Sequence, residues 1–88
     1  MNTSGEALRL LRQALADTRK AGAVIDDLFA PHYYQDVAAL VARASAGLLE
    51  STIRLLESRP DDALAALEAA DDLLDAVYDI IDSETDED

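Results

Sequence analysis

The stretch from Pro60 to Asp88, PDDALAALEAADDLLDAVYDIIDSETDED, constrains the fold more than any other part of this chain, because two opposed surfaces are interleaved along it. Leu67, Leu74 and Ile81 recur every seven residues, Ala63, Ala70 and Val77 fall between them, and Leu64, Leu73, Tyr78 and Ile80 widen the apolar band. Glu68, Asp72, Asp75, Asp79 and Asp82 follow one another at steps of four, three, four and three. Helical side chains three and four apart stack on one face. Read as a helix, the stretch therefore sorts into a greasy side and a side lined by five carboxylates.

That helix has no base of its own. Residues 60–88 hold twelve acids and neither Lys nor Arg, whereas residues 1–59 set seven acids against seven bases, so the net charge of −12 resides in the last third. Like charges at helical spacing cost about 0.2–0.5 kcal/mol per pair, and Asp79 and Asp82 also oppose the negative end of the helix dipole. Salt, bound cations, a basic partner or the buried face behind must offset this cost. Adaptation to a salt-rich cytoplasm is one explanation, and one Lys against six Arg fits it. Such adaptation would spread acids over every exposed face, so their segregation argues for a local role.

Half the residues are apolar, mostly Ala and Leu, with one Phe, three Tyr, no Trp and only five Gly and Pro together. This is helix-forming composition in a single domain near the size where one core barely suffices. There is no Cys for disulfides or thiolate metal sites. No apolar run approaches the roughly 20 residues that span a bilayer, and MNTSGEALRLLRQ lacks a signal-peptide core. A soluble, cytoplasmic protein is expected. A pI near 4.1 repels phosphate backbones, which argues against direct nucleic-acid binding.

Thr3-Ser4-Gly5-Glu6 has the form of a capping box and starts a helix near Ser4. Leu8, Leu15, Gly22 and Phe29 form one row, Leu11, Thr18 and Ile25 a second, and Gly22 suggests close approach of a neighbour or a kink. Pro31 ends the helix, giving residues 4–30. A second helix is expected over 35–58, with Asp36, Arg43, Glu50, Arg54 and Glu57 toward solvent, and a third over 61–82, leaving an acidic tail, 83–88, frayed. Three long antiparallel helices joined by short corners make an all-α, up-down-up three-helix bundle. Leu10, Val24 and the broad band of the last helix exceed what two neighbours cover, so a homodimer, or pairing with another helical protein through helix faces, is expected.

That topology brings Phe29, His32, Tyr33, Tyr34 and Tyr78 toward one pole, as a recognition pocket or simply a plug for the bundle's end. His32, a lone imidazole in a corner, is a weak metal or acid–base signal. Glu68-Ala69-Ala70-Asp71, followed by Asp72-Leu73-Leu74-Asp75, resembles the E-x-x-D metal motif of the MazG-like all-α nucleotide pyrophosphohydrolases. The resemblance implies Mg as cofactor, Glu68 and Asp71 as its ligands, and support from Asp75 and from Glu50 and Glu57 on the preceding helix. Those two stand seven apart, where the family has E-x-x-E. No phosphate loop or covalent nucleophile system is present. The main expectation is a non-enzymatic protein, without catalytic residues, cofactor or metal, that docks Glu68, Asp72, Asp75, Asp79 and Asp82 on a basic partner. The alternatives are the Mg-dependent pyrophosphohydrolase and a salt-adapted helical scaffold.

Overall fold

The computed structural model describes residues 2–85 and is all-α. Three helices follow in order: α1 (Ser4–Asp26), α2 (Gln35–Leu56) and α3 (Pro60–Thr85). Thr3 caps α1 as its sequence implies, its hydroxyl accepting from the Glu6 N–H at 3.1 Å. Pro60 opens α3 where a missing N–H costs nothing, and Asp61 and Asp62 complement the dipole there.

The helices run up, down and up. Ion pairs fix the first antiparallel register, with Arg12 against Glu57, Arg19 against Glu50 and Asp26 against Arg43. The second register is fixed where Ser51 meets Ala63 and Gly47 meets Ala66 and Ala70. In this three-helix bundle α2 is the centre. It packs on both neighbours, and among the described residues no Cα of α1 comes within 8 Å of one in α3. The result is an open layer measuring 51 × 28 × 21 Å, with a radius of gyration of 15.3 Å where a compact chain of this length has roughly 12 Å.

Small residues set the α2–α3 seam. Ala44 and Ser51 of α2 and Ala63, Ala70 and Val77 of α3 are buried. A Cβ built on Gly47 would lie 3.2 Å from the Ala70 Cβ, so glycine is what permits this approach. Ser51 donates to the Ala63 carbonyl at 2.8 Å across the seam, which satisfies the one buried polar side chain among the described residues. At the α1–α2 seam Gly22 has room for a methyl group, 3.7 Å from the Ala42 Cβ, and α1 runs through it unbroken.

Helix ends depart from expectation for identifiable reasons. The first helix stops at Asp26 rather than residue 30, with the Asp27 N–H turning back to the Val24 carbonyl. Two acids stand at its negative pole with no base in the last turn. Gln35 also donates to the Ile25 carbonyl at 2.8 Å, taking the acceptor that another turn would have used. Proline's restriction reaches only the residue before it, so Pro31 left the earlier end undetermined. The second helix stops at Leu56 rather than 58. The third starts at Pro60 and continues through Thr85, so Ser83 and Glu84, expected to fray, are helical. Tyr33 donates to Glu84 at 2.8 Å and ties that end to the first corner. The rest of the acidic tail, 86–88, lies outside the described residues.

The α2–α3 corner is a Schellman closure: the Arg59 N–H donates to the Arg54 carbonyl at 2.8 Å and the Ser58 N–H to the Leu55 carbonyl at 3.0 Å. Ser58 occupies the left-handed position, φ 62°, which glycine adopts without penalty. Ser58→Gly is expected to stabilise the fold by about 0.5–1 kcal/mol. A thermal melt that does not rise would show the corner to be unstrained.

Candidate docking surface

A two-residue step along a helix turns about 200°, and this rotation separates the functional candidates. Ala70 and Val77 of α3 face α2 and are buried. Two residues before or after them stand Glu68, Asp72, Asp75 and Asp79, which therefore project from the outer edge of the layer and are exposed. The expected carboxylate face is thus a continuous edge of α3. Asp82 continues the row one turn on and is also exposed.

The bases do not reach that edge. Arg12, Arg54 and Arg59 converge on Glu57, at 2.6, 2.8 and 3.8 Å. Glu50 takes Arg19 at 3.2 Å and Arg54 at 3.8 Å, Asp26 takes Arg43 at 3.5 Å, and Arg59 also holds Asp62. Hydrogen bonds from Arg12 and then Arg54 hold the Glu57 carboxyl below the usual carboxylate range. The Glu57 bond in turn raises the Arg54 guanidinium. These pairs lie along one side of the layer, where Glu50, Arg54, Arg59 and Asp62 line a common groove. Glu68, Asp71, Asp72, Asp75 and Asp79 have no ion pair among the described residues.

The aromatic pole is smaller than expected. Tyr33 and Tyr34 meet edge to face at 4.8 Å, and His32 lies 6.2 Å from Tyr34. Phe29 is fully exposed, and neither it nor Tyr78 makes a ring contact among the described residues. The early end of α1 explains this, because Phe29 falls in the corner instead of continuing the helical row. His32 Nδ1 accepts from the Tyr34 N–H at 3.0 Å, which organises the turn. The bond from Tyr33 to Glu84 raises the Tyr33 phenol.

For the pyrophosphohydrolase resemblance, the geometry separates the two halves of the ligand set. Glu50 and Glu57 are engaged by arginines on the paired side of the layer. Glu68 and Asp75 lie on the outer edge of α3. No three His, Asp or Glu side chains come together at metal-binding spacing among the described residues.

Two features escaped the sequence reading. Gly47, where α3 comes closest, was hidden among the small residues of α2. The other is the row Val41, Leu48 and Leu55, exposed on α2. Its seven-residue spacing is legible in the sequence, but its exposure follows from the openness of the layer.

Among the described residues no helix is long and apolar enough to cross a membrane. The class defined at this point is an all-α, open three-helix protein with an acidic edge on which Glu68, Asp72, Asp75 and Asp79 have no ion pair among the described residues. Compared with protein-family models, curated proteins and solved structures, the chain finds no match in any of the three.

Proposed function

We propose that this chain is a non-enzymatic, cytoplasmic protein-interaction module that docks the acidic outer edge of α3 on a basic protein surface. The observation that carries this reading is the division of charge. Five of the seven bases are occupied by Glu57, Glu50, Asp26 and Asp62, while Glu68, Asp72, Asp75 and Asp79 stand in a row with none. Such an edge attracts a cationic surface over about a Debye length, near 8–10 Å at physiological salt, and fixes register once the surfaces meet.

The test uses the full chain as bait, beside the variant Asp72→Asn, Asp75→Asn, Asp79→Asn. A control, Glu6→Gln, Asp17→Asn, Asp36→Asn, makes the same charge change elsewhere. One basic protein retained in stoichiometric amount by the wild type and the control, lost from the first variant and weakened by salt, is the expected result. Equal retention by all three baits would overturn the reading.

A further inference from the structure

We propose that the side of the layer opposite the ion pairs is buried by a second copy of this chain, in a dimer whose twofold axis runs along the helices. The inference does not rest on the acidic-edge reading. It begins from the 200° step. Two residues before Arg12, Asp26, Arg43, Glu50 and Glu57, which mark the paired side, stand Leu10, Val24, Val41, Leu48 and Leu55. Five of the seven ion-paired positions from Arg12 to Glu57 thus have an apolar counterpart on the reverse, Arg19 and Arg54 having Asp17 and Thr52 instead, and all five are exposed, Leu55 and Val24 by 59% each. On α3, Leu64 and Leu67 share a groove with Leu55, and Tyr78 follows Leu64 at fourteen residues, 63% exposed.

The hydroxyls on this side are already satisfied, while Asp17, between Leu10 and Val24, and Asp71, between Leu64 and Tyr78, carry carboxylates on it. Ser45 donates to the Val41 carbonyl at 2.9 Å and Thr52 to the Leu48 carbonyl at 3.0 Å. Covering them strands no donor.

Area says how large the cover must be. The chain exposes 6325 Å², against roughly 5,000 Å² for a folded monomer of its mass. The excess, roughly 1,300 Å², exceeds the approximately 800 Å² per partner of a standard stable interface.

Charge bears on the orientation of the two copies. The outer edge of α1 carries Arg9 and Lys20, neither in an ion pair among the described residues, and α1 holds four bases to three acids. The outer edge of α3 carries the carboxylate row. Two layers stacked about an axis along the helices set each α1 edge over the partner's α3 edge, with Lys20 level with the start of the carboxylate row and Arg9 with the corner before α3. An axis across the helices would set acid on acid. One base leaves most of the acidic edge uncompensated, so docking elsewhere remains open to it. The chosen axis also lays α2 parallel on its own copy, with Val41, Leu48 and Leu55 as a self-facing seam.

Sedimentation equilibrium of the full chain at about 50 µM is expected to give twice the 9.5 kDa chain mass. Leu48→Glu should give the single-chain mass with helical circular dichroism retained. The chain has no Cys, so Val41→Cys and Leu55→Cys, at opposite ends of α2, report orientation by oxidative self-crosslinking. Both should crosslink nearly completely. A monomeric wild type at that concentration overturns the dimer. Crosslinking of Leu48→Cys alone, with neither end position reacting, overturns the axis. Because the crosslinks use the assembled wild-type face, they decide the question even where Leu48→Glu fails to fold.

Discussion

Ala70→Leu should lower the melting temperature by 10 °C or more, the largest loss expected from any single substitution in α3. Ala70 is fully buried, and Gly47 faces it so closely that a single added carbon already reaches 3.2 Å. A leucine adds three carbons with no cavity to receive them. Overpacking of this kind costs about 1–3 kcal/mol, and each kcal/mol moves the melt of a domain this size by roughly 4–8 °C. The total to draw on is small, about 4–13 kcal/mol for a chain of this length. Ala69→Leu, one residue earlier on the exposed groove side, is the control and should stay within about 0.5 kcal/mol of wild type. Equal melts for the two variants would mean that α2 and α3 do not meet through their small residues.

Asp75→Lys should act in the opposite direction, raising stability by roughly 1–3 kcal/mol while weakening attachment to a basic partner. Asp75 stands at helical spacing from Asp71, Asp72 and Asp79. One substitution turns three repulsive pairs into attractive ones, each pair being worth about 0.2–0.5 kcal/mol in either sense. The gain should shrink in molar salt as screening removes both the repulsion and its replacement. Thermal melts at low and high salt, read beside the capture experiment, give both halves. A variant that is stabilised yet binds undiminished would show that the carboxylate row is not what the partner grips. One destabilised at low salt would show Asp75 to have a structural role.

How far the sequence could be read depended on whether one helix or the relation between helices decided the outcome. The α3 pattern, with Ala63, Ala70 and Val77 inward and Glu68, Asp72 and Asp79 outward, is a property of one helix and was legible from spacing alone. The Thr3 cap and the Pro60 start are likewise local. The end of α1 was not, because Gln35, ten residues on, holds the Ile25 carbonyl. Nor was the openness of the layer: the exposure of Leu48 and Leu55 on α2 follows only once α1 and α3 are seen to stand apart. Arg43 reads as a solvated residue, and only the register of α1 on α2 shows that Asp26 takes it, as Glu57 and Glu50 take Arg12 and Arg19.

Because α1 and α3 each lean on α2 and not on each other, every tertiary contact between helices among the described residues joins neighbours along the chain. The ends never have to find one another, so loop-closure entropy enters only through two short corners. A topology this local places the chain among fast folders, on the microsecond-to-millisecond scale, with the α2–α3 hairpin able to form before α1 docks.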